Sequence, residues 1–144
     1  MIQALDTPTT GIVKLPAKLK PTVIVVDDDP SLRRALKTQL RSAGFKVLAF
    51  DSAQKLLDSQ FSTSDACLLL NVYMPGMSGI ELCHVLLASG REVPAVLMSA
   101  RAGELSPQVI GETGAVVSLY KPFDEKALLR AIRKALRKKS ALPL

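Results

Sequence analysis

Histidine is almost absent from this chain: of 144 residues, only His84 carries an imidazole. There are two cysteines, Cys67 and Cys83, and they form no CxxC pair. A zinc centre draws on several His and Cys ligands, so this composition cannot supply one. Both cysteines lie in apolar stretches, where buried free thiols in a reducing compartment are the expectation. Aromatic residues make up only 4% of the chain. Neither a helix-turn-helix pattern nor a row of stacking aromatics accompanies the basic residues, so the usual equipment for reading nucleic acid is missing. No apolar run is long enough to span a bilayer. Residues 1–20 lack an apolar core followed by a small-residue cleavage site. Together these absences place the protein in the cytoplasm, away from membranes.

What is present is an ordinary globular composition, 48% hydrophobic and 22% charged. A chain of this length forms one domain and buries about 68–70% of its unfolded surface without disulfides or metal. The net charge of +6 is unevenly placed. Residues 1–20 carry +2 and residues 124–144 carry +5, whereas 21–123 carry −1. The acids of the middle segment cluster at Asp27, Asp28 and Asp29.

Residues 1–20 hold Pro8, Gly11 and Pro16 without a sustained period and are predicted to be a flexible leader. From Pro21 onward, short apolar runs alternate with helical patterns. The predicted strands are 22–26, 46–50, 66–70, 94–98 and 115–119. The predicted helices are 30–43, 52–60, 79–89, a short one from Ser106-Pro107 broken by Gly111 and Gly114, and 125–139. Residues 140–144 form a tail. Five β-α units with continuously apolar strands imply a parallel sheet covered on both faces. The fold class is α/β: a flavodoxin-like, doubly wound five-stranded parallel sheet of order 2-1-3-4-5 with five helices.

In such sheets, ligands sit beyond the carboxyl ends of the strands. Strand 1 ends in Asp27-Asp28-Asp29, strand 3 in Asn71-Val72-Tyr73, strand 4 in Met98-Ser99-Ala100 and strand 5 in Tyr120-Lys121-Pro122. Each feature alone has a plain explanation. The acids suit a helix cap, the serine a turn, and the lysine a solvated loop. Their convergence on one edge argues for more. Paired carboxylates in a partly desolvated pocket are costly unless they bind a cation. Oxygen ligands without His or Cys suit Mg²⁺. A nearby hydroxyl and ammonium can then hold an oxyanion. These groups have the chemistry of a phosphoryl-handling site.

Four motifs in the same order and spacing carry a family resemblance: Val25-Val26-Asp27-Asp28-Asp29-Pro30; Leu69-Leu70-Asn71-Val72-Tyr73-Met74-Pro75-Gly76-Met77-Ser78-Gly79-Ile80-Glu81-Leu82; Ser99-Ala100-Arg101; and Lys121-Pro122-Phe123. Over residues 21–139 the chain resembles a response-regulator receiver domain of bacterial two-component signalling, in particular the receivers of nitrogen-fixation-type transcriptional regulators. The resemblance implies that Asp27, Asp28 and the backbone carbonyl of Tyr73 hold Mg²⁺. It also implies that Ser99 bonds the phosphoryl group and that Lys121 pairs with it. Asn71 falls where the family has its phosphoacceptor aspartate. The implied partners are a histidine kinase or a downstream signalling protein, met through helix 4, strand 5 and helix 5. A homodimer through that face is compatible with this, and no enzymatic activity is expected.

Three departures qualify the resemblance. Phosphoryl transfer needs a carboxylate oxygen as nucleophile, and the Asn71 amide has none. Mg²⁺ binding is therefore expected to weaken, with Asn71 a poor ligand, and Lys121 is expected to turn to Asp28. Ser118 stands where the family usually has an aromatic residue, with Tyr120 on the same strand face. The fourth helix is short and follows a long loop from Ala100 to Ser106. The leading expectation is a phosphorylation-independent receiver-like module. The alternative is an ordinary phospho-accepting receiver carrying an Asp-to-Asn change, or a fragment of a transcriptional regulator. Chain drift at Ser118 and in helix 4 favours the natural over the deliberate substitution. A nucleic-acid binder would rely on Arg130, Arg133, Lys134, Arg137, Lys138 and Lys139 of the last helix, a pattern more typical of a solvated or partner-docking face. A haloacid-dehalogenase-like phosphatase is disfavoured, because the Asp27-Asp28-Asp29 run lacks that family's spaced Asp-x-Asp with its downstream motifs. No output domain is expected after the last helix.

Overall fold

The β-branched run Thr22–Val26 forms β1, and every residue of it after Thr22 is buried. The computed structural model describes residues 20–101, 105–115 and 117–140, with backbone only at 139 and 140. Apart from Lys20 and Ser140, the expected leader and tail lie outside the described residues. The elements that follow β1 are α1 (Pro30–Ser42), β2 (Lys46–Phe50), α2 (Ala53–Asp58), β3 (Ala66–Asn71), α3 (Gly79–Ala88), β4 (Ala95–Ser99), α4 (Pro107–Thr113), β5 (Val117–Tyr120) and α5 (Glu125–Ser140). All neighbouring strand pairs are parallel, and the sheet order is β2-β1-β3-β4-β5, as expected from the sequence.

Alternation along each strand feeds two cores. Val23, Val25, Cys67, Leu69, Val96, Met98 and Leu119 pack with Leu36 and Leu40 of α1 and Leu128 and Ile132 of α5. Ile24, Val26, Leu68, Leu70 and Leu97 pack on the opposite face with Leu56 of α2 and Leu82 and Leu86 of α3. Burying each such Leu or Ile contributes about 1.5–3 kcal/mol. The central strands β1, β3 and β4 are therefore buried along nearly their whole length, with polar residues only at their ends, whereas edge strand β2 exposes Lys46 and Leu48.

Local chemistry sets the element ends. Asp29 caps α1, its Oδ1 accepting from the Ser31 and Leu32 N–H groups, and Pro30 fills the first turn. Ser78 and Glu81 form a reciprocal capping box at the start of α3. Several boundaries differ from the sequence expectation by one or two residues. Helix α2 stops at Asp58 instead of residue 60, because Ser59 is extended and its hydroxyl donates to the Leu56 carbonyl. Strand β3 runs on through Asn71, whose register partner is Met98. Strand β4 starts one residue later, because Pro94 has no N–H to give and contributes only its carbonyl to Leu68. Strand β5 starts at Val117, since Gly114 turns the chain at φ 72° and pairing with β4 begins at Val96↔Val117. Helix α4 is about two turns long, as its glycines imply, and part of the preceding loop, residues 102–104, lies outside the described residues.

Candidate functional site

The register brings the carboxyl ends of four strands level: Val26 lies opposite Leu70, Asn71 opposite Met98, and Ser99 opposite Tyr120. Three side chains past or at these ends continue the strand rows that face α1 and α5. Asp27 follows Val23 and Val25, Asn71 follows Cys67 and Leu69, and Lys121 follows Val117 and Leu119. These are the three that meet.

Asp27 is fully buried. Its Oδ1 accepts from the Asp29 backbone N–H at 2.9 Å, and its Oδ2 accepts from Lys121 Nζ at 3.1 Å. Lys121 Nζ also donates to Asn71 Oδ1 at 3.2 Å. The Asn71 amide nitrogen donates to Asp28 Oδ1 at 3.2 Å and to the Tyr73 carbonyl at 2.9 Å. The amide orientation follows from its partners. Lysine only donates, and carboxylate and carbonyl oxygens only accept, so the alternative flip would set like groups against each other. Lys121 is thus paired with Asp27 and not, as expected, with Asp28. The reason is positional, since Asp27 and Lys121 lie on the same side of the sheet edge and Asp28 is exposed.

The structure brings together Asp27, Asp28, Asn71, Tyr73 and Lys121. Ser99 bonds its own loop. It is buried at the end of the row that faces α3, donates to the Arg101 carbonyl at 3.0 Å and accepts from the Arg101 N–H at 3.2 Å. Its backbone carbonyl takes the Lys121 N–H at 2.7 Å, which fixes the root of the lysine. Ser118 is half-buried, and Tyr120, on the same strand face, is exposed.

Two contributors escaped the sequence reading. Arg33, half-buried in the first turns of α1, donates from its guanidinium to the Asp27 backbone carbonyl at 2.7 Å. A basic residue four positions after the capping Asp29 was the available signal. Gly79 opens α3 directly against the chain at Asn71. A Cβ there would collide with the Asn71 carbonyl and crowd the Val72 Cα. The two cysteines stay outside the site as buried free thiols, and burial pushes each up to about 12.

A magnesium ion at this edge would draw on Asp27, Asp28, the Tyr73 carbonyl and, weakly, the side chain of Asn71. Here Asp28 and the Tyr73 carbonyl already take a hydrogen from the Asn71 amide, and Asp27 is paired with Lys121. Among the described residues, no buried side-chain nitrogen or oxygen is left without a partner. Nor do three or more His, Cys, Asp or Glu side chains converge there as metal ligands. In this arrangement the donor set does not fit a resident magnesium ion. Among the described residues, no helix is long and apolar enough to cross a membrane.

Comparison with known proteins agrees with this architecture. Residues 23–133 match the response regulator receiver domain family. The chain is 36% identical over 115 residues to the transcriptional regulatory protein FixJ of Bradyrhizobium diazoefficiens, covering 80% of this chain and 56% of FixJ. It spans about half the length of the curated relatives it matches. Among solved structures, the response regulator StyR superposes with a TM-score of 0.77 at 43% identity, covering 84% of this chain and 61% of StyR. FixJ-N superposes with a TM-score of 0.73 at 27% identity, covering 87% of this chain and 98% of that one. With sheet order, sequence match and superposition in agreement, the chain belongs to the response regulator receiver domain family of two-component signalling.

Proposed function

We propose that this receiver works without accepting phosphate, as a protein-binding module whose state is set by its partner and not by phosphoryl transfer. The observation that carries this reading is the chemistry of Asn71. The position that the family resemblance assigns to the phosphoacceptor holds a neutral amide, and both ends of that amide are engaged, by Lys121 on one side and by Asp28 and Tyr73 on the other. An amide oxygen is neutral and a poor nucleophile, so it does not take a phosphoryl group as a carboxylate oxygen does. Ser99 and Lys121 are retained as the groups that would face a phosphoryl oxygen, and Asp27 and Asp28 as the acids of the metal pocket.

The reading makes the chain a cytoplasmic, non-enzymatic module. Its partner is a histidine kinase or a downstream signalling protein, docking on α4, β5 and α5; the same face would serve a homodimer. Tyr120 is exposed there. Nearby, Val117 and Leu119 of β5 and Arg130, Arg133, Lys134 and Arg137 of α5 line a groove of about 410 Å³. Apolar floor and basic rim suit an acidic protein surface better than a nucleic acid, for which stacking groups are wanting. The test is incubation with acetyl phosphate and MgCl₂, read by intact mass. The unaltered chain is expected to stay unmodified. A phosphoryl adduct mapped to residue 71 would overturn the reading.

A second reading has one observation in its favour: the acids, lysine and serine of the pocket are all present. On that reading the chain is an ordinary phospho-accepting receiver with an Asp-to-Asn change. Asn71→Asp would then be phosphorylated under the same conditions. An Asn71→Asp protein that folds and still takes no phosphate excludes it.

A further inference from the structure

We infer that the Asn71 amide takes over the structural place of the magnesium ion, so that the pocket is closed and indifferent to the metal. The inference deepens the phosphate-independent reading and rests on it, but it concerns the cation and not the nucleophile.

Two independent observations carry it. The first is the hydrogen-bond pattern. The Asp28 carboxylate and the Tyr73 carbonyl are among the groups that would hold a divalent ion at this edge. The Asn71 NH₂ group bridges those same two oxygens, at 3.2 Å and 2.9 Å. Two of the oxygens that would hold the ion thus already accept a hydrogen from the amide. Entry of the ion would therefore require both bonds to break, and the amide could offer its oxygen only by turning over, which gives up the Lys121 bond and sets its NH₂ group against Nζ.

The second is charge. Asp27 and Asp28 bring two negative charges to the edge, Asp29 adds a third at the head of α1, and residue 71 brings none. Lys121 Nζ neutralises the buried Asp27 at 3.1 Å. The Arg33 guanidinium, held at 2.7 Å on the Asp27 carbonyl, adds a second fixed positive charge beside the pocket. A carboxylate at position 71 would add one more negative charge for a divalent ion to relieve. Asn71 adds none, so a metal ion gains less there, and Lys121 and Arg33 repel it.

The experiment uses MgCl₂ alone as the probe and thermal unfolding of the full chain as the readout, in millimolar MgCl₂ against EDTA. The unaltered chain is expected to unfold at the same temperature in both. Asn71→Asp is expected to gain a saturable Mg²⁺-dependent rise in midpoint, with affinity higher by at least a factor of ~10, since one full charge at contact distance is worth more than that even at a surface-like dielectric. Asn71→Ala provides a second arm that adds no charge: it frees Asp28 and the Tyr73 carbonyl and is expected to respond to Mg²⁺ more than the unaltered chain and less than Asn71→Asp. A midpoint rise in the unaltered chain equal to that of Asn71→Asp overturns the inference, and so does a folded Asn71→Asp with no Mg²⁺ response. Neither result touches the phosphate-independent reading, which stands or falls on the covalent adduct at residue 71.

Discussion

Removing the lysine from the pocket, as Lys121→Met, tests the role assigned to it here as the pocket's internal cation. Methionine keeps most of the stem's volume, so the change removes a charge more than packing. Asp27 is then left fully buried with only the Asp29 N–H on its carboxylate, and the Asn71 oxygen loses its donor as well. Removing one partner of a buried ion pair costs about 3–5 kcal/mol. Lys121 is a quarter exposed, so water partly replaces it, and Asp27 keeps one bond. The expected loss is therefore about 2–3 kcal/mol, near the lower end of that range. For a domain of this size that is a fall in melting temperature of about 10 °C. Urea unfolding followed by far-UV circular dichroism measures it; tryptophan fluorescence is not an option, because the chain has no tryptophan. A double-mutant cycle isolates the pair. Asp27→Asn in the Lys121→Met background removes the stranded charge and is expected to recover most of the loss, giving a coupling of about 2 kcal/mol. A Lys121→Met loss below about 0.5 kcal/mol, or strictly additive single changes, would refute the assignment of Lys121 as the cation that makes Asp27 tolerable.

Gly79→Ala is expected to destabilise by about 1–3 kcal/mol, although alanine is the better helix former, because its Cβ meets the backbone at Asn71 and Val72; urea midpoints at unchanged m-value check this. Ser78→Ala breaks the capping box with Glu81 and should cost about 1 kcal/mol by the same assay, with Ser78→Thr recovering most of it. Burial raises the Cys67 and Cys83 thiols from an ordinary 9.0 to about 12. Below pH 9 both folded and unfolded chains keep these protons; above it the unfolded chain loses them first, so stability falls with rising pH by about 1.4 kcal/mol per unit per thiol until the folded thiols titrate. Comparing the alkaline slope of the unaltered chain with that of a Cys67→Ala, Cys83→Ala double variant isolates the effect, and identical slopes would contradict it.

Much of this fold was legible because its strands are buried on both faces. A continuous apolar run such as 66–70 has one stable place in an α/β chain, the middle of a covered sheet, and β3 is there. Boundaries were less legible where hydrophobicity and hydrogen bonding part company. Pro94 is apolar but cannot donate to the ladder, and Ala115 is buried without belonging to β5. The candidate site was legible as a set, because Asp27, Asp28, Asn71, Tyr73 and Lys121 all follow strands that end on one edge. Its pairing was harder. That Lys121 reaches Asp27 depends on which strand row each side chain continues, and the row of a residue beyond a strand end is not fixed by the strand. Arg33 lay hidden for a different reason: its partner is a backbone carbonyl, which leaves no trace in side-chain patterning. Ser99 ends the strand row that faces α3, and its hydroxyl bonds the backbone of Arg101.

The central claim is that an amide at position 71 uncouples this receiver from phosphoryl chemistry while leaving its pocket folded. Proton–nitrogen correlation spectra of the labelled chain, recorded before and after adding beryllofluoride with MgCl₂, test it most directly. The resonances of Asn71, Ser99, Tyr120 and Lys121 are expected to stay in place in the unaltered chain. Saturable shifts at those residues in the unaltered chain would contradict the claim.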